Sequence, residues 1–493
     1  MKNIIVAIDL GTQSSRAAVV RQGGEILGIS QTLHELEAPH EGWAQQRPDQ
    51  WWDEICQCIQ QVMRDTGVLP EQLAAVSCCG QMAGPVGIDT EGELTTPWAQ
   101  LWCDKRCAEQ VEALHAAHDE KALMQLAANT ANPAWTGLKV RWEKDHRPES
   151  YERTRWYLVP KDYINFKLTG VAAADHTEAS LSFLYDANTQ DYSQPLADAV
   201  GVDLAKFAPL HNAYDVIGSV TAEAQKLTGI PTGTPVVAGA GDFPASMLGF
   251  GIIGEDVVAD VTGTSSLLAG HSPEPVIDPA IQNMRHIVDG WVPFTILDCG
   301  GMSMKWCKEL MSSVNGECSY EQLIAAAEDV EAASDGLFFF PYMRGERRSE
   351  NVNSKGGYFG ISTEHNAAHF TRSVMEGVAF AMGKDAGIFR SCGLELTTIM
   401  SVGGGTRNQL WNNIKAAVLN LPMQISPEPE AGIKGCALLG EKAAGFIDDV
   451  GAEAIARRQA SNTVTPDPEW VETYAKGQKE YNRIYDHMLG FWS

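Results

Sequence analysis

The chain opens on a short apolar run, Ile4-Ile5-Val6-Ala7-Ile8, that stops at Asp9 and is followed by the turn residues Gly11, Thr12, Gln13, Ser14 and Ser15. A run of that length bounded by turn residues predicts a buried strand. Behind Pro48, the residues Trp51, Trp52, Ile55, Ile59, Val62 and Met63 recur at helical spacing, which predicts an amphipathic helix. Short apolar runs and amphipathic helices alternate in this way to about residue 245, the pattern of an α/β domain. The pattern then begins again. Strands are expected around Val257 to Val261 and Leu337 to Pro341, followed by a long helix with Phe370, Val374, Val378 and Met382 on one face. A final stripe of Trp470, Tyr474, Tyr481, Ile484, Tyr485 and Met488 predicts a helix that packs against the body.

Length agrees with this doubling, because 493 residues exceed what a single hydrophobic core usually serves. The expected domains are 1–245 and 246–493. With 37 basic against 63 acidic side chains the net charge is -26, which argues against nucleic acid or an anionic membrane as the main partner. An anionic small molecule is still compatible, since a glycine-rich loop and a cation can build a local phosphate site in an acidic protein. The N-terminal run is too short for a secretory signal, and no stretch approaches the roughly 20 apolar residues of a membrane span. Eleven scattered cysteines without a repeated CxxC pair predict reduced thiols and a cytoplasmic protein. Cys56 with Cys58, and Cys103 with Cys107, lack the companion ligands of a metal site and read as buried thiols.

Four loops carry candidate chemistry. Asp9-Leu10-Gly11-Thr12-Gln13 follows the first strand, and Val261-Thr262-Gly263-Thr264-Ser265 echoes it in the second half. Each is either an ordinary strand-to-turn junction or a cradle of backbone N–H groups and hydroxyls for phosphate oxygens. Asp9, at a strand end, suits Mg²⁺. With the Gly-Thr pairs in register Asp9 aligns with Val261, while Asp260 lies one place earlier, so the acidic role is not expected to be shared. The third loop, Gly403-Gly404-Gly405-Thr406-Arg407-Asn408, is either a flexible strand-to-helix turn or a bare surface for a purine and ribose. Gly432, Gly435 and Gly440 suggest a closely packed helix near the same place. In the fourth, a strand from Val236 delivers Asp242, either as a helix cap or as the base that phosphoryl transfer to an alcohol requires.

These residues resemble the FGGY carbohydrate kinases, most closely the xylulokinases, over essentially the whole chain. Matching motifs include Asp9-Leu10-Gly11-Thr12, Pro48-Asp49-Gln50-Trp51-Trp52, Gly80-Gln81-Met82, Trp102-Cys103-Asp104-Lys105-Arg106, Pro160-Lys161-Asp162-Tyr163 and Gly239-Ala240-Gly241-Asp242. They continue through Thr262-Gly263-Thr264-Ser265, Pro341-Tyr342-Met343-Arg344-Gly345-Glu346-Arg347 and Gly403-Gly404-Gly405. The resemblance implies an actin-like ATPase fold of two ribonuclease-H-like domains, with ATP and Mg²⁺ in the cleft between them. It further implies Asp242 as catalytic base, Gly11, Thr12, Gln13, Gly263 and Thr264 at the ATP phosphates, and Gly404, Gly405 and Asn408 at the adenosine. Related kinases are often dimers, so a homodimer is an expectation as well.

Two departures bear on the substrate. Xylulokinases resemble one another in Gln-Met-His-Gly, where this chain has Gln81-Met82-Ala83-Gly84; after the base they carry Asn and glycerol kinases Gln, where this chain has Phe243. The glycerol kinase Arg-Glu pair is absent from the first of these loops too. Gln81, Met82, Trp102, Asp104, Asp242 and Phe243 are the expected substrate-binding set. For Trp102, Asp104 and Arg106 a surface helix with an incidental ion pair is the alternative. The expected activity is phosphorylation of a hydroxyl on a small sugar, sugar acid or polyol, pentulose-like in size. An actin-like ATPase and a sugar-binding regulator without catalysis are the alternatives from other classes.

Overall fold

The computed structural model describes residues 2–254, 256–346 and 353–492; Arg347 of the Pro341-to-Arg347 motif lies outside the described residues. Two seven-stranded sheets organise the chain. In the first the order is Glu25–Leu33, Ser14–Arg21, Ile4–Leu10, Leu73–Gly80, Pro235–Val237, Val216–Ser219, with Ala240–Gly241 also bonded to Leu73–Gly80. In the second it is Gln282–Arg285, Trp291–Leu297, Ser266–Ala269, Val257–Thr262, Thr398–Val402, Met423–Ile425, Asn462–Val464. Ile4–Leu10 is antiparallel to the strand that follows it and parallel to Leu73–Gly80. Val257–Thr262 stands in the same relation to Ser266–Ala269 and Thr398–Val402. The echo between the two glycine loops is thus a repeated topology, with each loop turning the central hairpin of its sheet.

Register decides where the loops emerge. Leu10 pairs with Gly80 and Gly80 with Gly241, so three parallel strands end level. Ligands of open α/β sheets bind outside such carboxyl ends, where loops converge. The expected unbroken strand from Val236 is instead two pieces, Pro235–Val237 and Ala240–Gly241. Gly239 separates them at φ +73°, and a Cβ there would sit 1.9 Å from the Cys78 carbonyl oxygen. Only glycine allows that bend at that distance. The expected strand near Leu337 forms as Phe338–Phe340 but, among the described residues, pairs only with Gly357–Phe359, outside both large sheets. All three of its phenylalanines are buried in the core beneath the helix Ala367–Ser391.

The predicted helices form as Pro48–Thr66, Ala367–Ser391 and Pro468–Trp492, the last burying Tyr474, Tyr481, Ile484 and Tyr485, and the helix Gln409–Leu419 follows the triple-glycine loop. Among the described residues no helix is long and apolar enough to cross a membrane. One helix pair ties the halves together. Asp242–Phe250 leads out of the first sheet, and Ala431–Ala443 returns from the second half to pack on it and on Ile4–Leu10. A Cβ on Gly435 would lie 1.9 Å from the Ala245 oxygen, and one on Gly249 would lie 1.9 Å from that of Ala431. The helices approach backbone to backbone, as the glycines of the sequence suggested. Gly435→Ala must push them apart, and overpacking of this kind costs about 1–3 kcal/mol. A urea-unfolding comparison with the parent chain should show that loss.

Candidate active site

A cleft of about 690 Å³ opens at the level strand ends, within the size range of small-molecule sites. Its walls bring together Asp9, Gly11 and Arg16 from the first hairpin, Asp242 and Phe243 from the crossing helix, Gly403, Gly404 and Arg407 from the triple-glycine loop, and Glu430 before the returning helix. Asp242 occupies the first turn of its helix while Gly241 holds the cap position. The Asp242 carboxylate accepts the Phe243 N–H at 2.7 Å, and no side-chain cap bond forms. The helix-cap alternative is therefore not what the structure contains. Burial pushes the Asp242 carboxyl up to about 7, and the nearby Asp9 charge adds to the rise.

Asp9 is itself raised by burial, against the lowering effects of Arg16 and of the Cys79 thiol. Register places Arg16 directly opposite Asp9, and its guanidinium lies 3.2 Å from the carboxylate while also contacting Glu430. Sequence reasoning passed over Arg16. The cue was a cation in a strand of Ala17, Ala18, Val19 and Val20 that is otherwise apolar, one place beyond the Gly-Thr-Gln-Ser-Ser turn.

The remaining candidates lie around this centre. The Gly11 N–H closes its hairpin onto Ser14 O at 2.9 Å, leaving Thr12 and the exposed Gln13 at the tip. Gly263 and Thr264 are exposed at the tip of the second hairpin, closed one residue more tightly by Gly263 N–H to Ser265 O. Asp260 is fully buried, paired with Lys415 at 2.7 Å and accepting from Ser401 and Thr262, so it serves the second sheet internally. Gly405 packs on Thr262, and the Asn408 side chain caps the helix Gln409–Leu419 by accepting from Trp411 N–H. Gln81 is buried and donates to Gln46 Oε1 at 2.9 Å, while Gln46 donates to the Thr12 carbonyl. Met82 lies under Gly241, and Trp102 donates its indole N–H to Thr12 Oγ1 at 3.0 Å. Asp104 lies inside the fold. Its carboxylate is 1% exposed and is committed to Arg106 and the Ala44 N–H, with Arg106 stacked 3.6 Å from the Trp43 ring. The pair is buried, unlike the surface ion pair of the alternative reading. Among the described residues no His, Cys, Asp and Glu cluster suits a metal, and Cys56, Cys58 and Cys107 are buried thiols.

Family models for the FGGY family of carbohydrate kinases match residues 4–249 as the N-terminal domain and 258–444 as the C-terminal domain. The chain belongs to the FGGY family of carbohydrate kinases. This FGGY kinase is 27% identical to the xylulose kinase of Bacillus subtilis over 98% of its own length and 97% of the relative's. It is 28% identical to an autoinducer-2 kinase of Escherichia coli, covering 99% and 95% of the two chains. The crystal structure of the xylulose kinase from Rhodospirillum rubrum superposes with a TM-score of 0.93 at 28% identity over 99% of each chain. The fold is accordingly the actin-like ATPase fold, and the protein is an ATP-dependent kinase of a hydroxyl on a small sugar or polyol.

The carboxyl with a raised pKa has a consequence for stability. Folded Asp242 holds its proton up to about pH 7 while the unfolded group releases it near 3.8, so its contribution to stability is present at low pH and lost as pH rises between those values. Unfolding measured from pH 4 to 7 without ligands should fall less steeply in Asp242→Asn than in the parent.

Proposed function

We propose that Asp242 is the base that accepts the proton of the substrate hydroxyl during phosphoryl transfer from ATP, and that the substrate is a ketose or polyol of pentulose size. The observation that carries this is the Asp242 carboxylate, raised to about 7 and facing one cleft with Asp9, Arg16 and the triple-glycine loop. A base poised near neutral pH balances readiness to accept a proton against the fraction already ionised.

The cleft residues fit the two partners that the chemistry requires. Gly404 leaves open space where a side chain would stand, which suits a flat base and ribose, and Arg16 carries a buried Nε without a hydrogen-bond partner in the cleft wall. Asp9 supplies hard carboxylate oxygens of the kind Mg²⁺ prefers. Bound Mg²⁺ would neutralise charge on the transferring phosphoryl group. Arg16 would meet phosphate oxygens with charge-assisted hydrogen bonds, and the hairpin tips Thr12-Gln13 and Gly263-Thr264 would approach them from the two halves. Gly405 and Asn408 complete the proposed adenosine side, with Asn408 acting through the helix that it caps. Closure of the halves would exclude water from the phosphoryl group.

On the acceptor side Gln81, Met82, Trp102 and Phe243 form the proposed wall. At both departures from the xylulokinase pattern the side chain is hydrocarbon: Ala83 is buried at 2% exposure, and the Phe243 ring, in the cleft wall, packs 6.1 Å from Phe294. A site built to hydrogen-bond a hydroxyl discriminates by factors of about 10⁴ or more, so a site without two such partners gives up that preference for the substrate that carries the hydroxyls. D-xylulose is therefore expected to be a poor substrate, although it is the namesake of several relatives. The difference in substrate between the xylulose and autoinducer-2 kinases, at similar identity to this chain, supports reading the pocket before the family.

ADP release with MgATP across ketoses, sugar acids and polyols tests the proposal. One compound should give a strong signal that Asp242→Asn reduces by several orders of magnitude while nucleotide binding persists; normal turnover in that variant would refute the base assignment. The paired substitution Ala83→His with Phe243→Asn should raise kcat/KM for D-xylulose relative to the parent chain, and an unchanged value would remove these two positions from the account of specificity.

A further inference from the structure

The piece of strand that delivers Asp242 is weakly held by its own sheet. Ala240–Gly241 is bonded to Leu73–Gly80 on one side, and the break at Gly239 detaches it from the preceding strand. A buried polar array supplies the other side. The Gly241 N–H donates to Thr177 Oγ1 at 3.0 Å. Thr177 spends its single hydroxyl proton on Asp175 Oδ2 at 2.5 Å, which leaves an oxygen lone pair to receive Gly241. Asp175 also accepts the Thr177 N–H at 2.7 Å and pairs with Lys161 at 2.8 Å. Lys161 and Asn165 both donate to the Ala238 carbonyl, at 3.2 and 2.8 Å, on the near side of the break. Next to Thr177, Glu178 accepts the Ala83 N–H at 3.0 Å, and Lys139 donates to the Ala83 carbonyl at 2.9 Å. Lys161, Asp175, Thr177, Glu178 and Lys139 are all at most 2% exposed.

We infer that Thr177, oriented by Asp175 and Lys161, is a positioning residue for Asp242, and that through the neighbouring Glu178 the same segment holds the Ala83 loop. One rigid unit then sets the distance between the proton acceptor and the acceptor-side wall. This inference rests on the assignment of Asp242 as base. The physical reason is that the buried Gly241 N–H beside the strand break is bonded to the Thr177 hydroxyl rather than to a neighbouring strand, so loss of the hydroxyl leaves a buried donor unpaired unless the loop shifts. Shifts of about 1 Å at a reacting group cost about 100-fold in rate even when the altered residue is remote from the chemistry.

The test is Thr177→Val, which keeps the shape and removes the hydroxyl, beside Thr177→Ser, which restores it, with turnover referred to the concentration of nucleotide-binding sites. The valine variant should lose about 10- to 100-fold in kcat with KM for MgATP unchanged, and the serine variant should recover it. Thr177→Ala provides the same comparison without the branched side chain if valine compromises folding. Full turnover per nucleotide site in the variants lacking the hydroxyl, or failure of serine to restore it, would overturn the inference. Asp242→Asn run alongside separates the two assignments: loss of turnover there with full turnover at position 177 removes only the positioning role, whereas turnover retained in Asp242→Asn removes the base and the positioning role with it.

Discussion

The close contact between the helices Asp242–Phe250 and Ala431–Ala443 is the constraint on which the remaining architecture depends. Both begin at the cleft, and each contributes a glycine where the other presents a backbone carbonyl. Because the first helix starts at Asp242 and the second follows directly after Glu430, the spacing of this pair also sets the spacing of the cleft walls. Ile433, Cys436, Ala437, Leu438 and Leu439 seal the contact against Ala7, Ala18, Cys79 and Val237 of the first sheet. A chain segment from the second half thereby completes the core of the first, so the fold cannot be cut into independent lengths of sequence without breaking a core.

Electrostatics at the cleft follow from this geometry. Two carboxylates from different strand ends face the same space, and burial penalises the charge of each. Arg16 offsets that penalty for Asp9 through a direct ion pair, while Asp242 accepts from backbone N–H groups and burial raises it to about 7. The second half uses the same hairpin without the same chemistry. Its buried acid, Asp260, sits one position back, points into the sheet and is neutralised by Lys415. A repeated topology has thus kept a hairpin turn while its acid faces the cleft in the first copy and the sheet interior in the second.

Around the proposed acceptor wall, apolar side chains stand beside concealed polarity. Phe243 lines the cleft, while Ala83 is buried with its backbone held by Glu178 and Lys139, and the Gly241 N–H beside Asp242 is held by the Thr177 hydroxyl. Burial raises the Glu178 carboxyl well above its ordinary range, and it lowers Lys139 to about 8. Such groups hold loops in one geometry because any displacement leaves a buried donor or acceptor unpaired.

Much was legible in the sequence because it depends on local order. The Ile4–Ile8 run, the Gly-Thr turns, the helical stripes at Trp51 and Tyr474, and the spacing of the second half all report periodicity and turn chemistry, which neighbours in the chain decide. The motif order was enough to identify the two-domain kinase fold. What the sequence could not assign was which polar side chains meet one another. Arg16 is seven residues from Asp9 and becomes its partner through the hairpin register, and Glu430 joins them from the far end of the chain. Asp104 stands in a motif that suggested a sugar contact, but tertiary burial commits it to Arg106. The break at Gly239 and its repair by Thr177 likewise depend on the Cys78 carbonyl and on a segment more than sixty residues away. Pattern along the chain determined the elements and their duplication; pairing across the chain, set by register and close packing, decided which residues share the cleft.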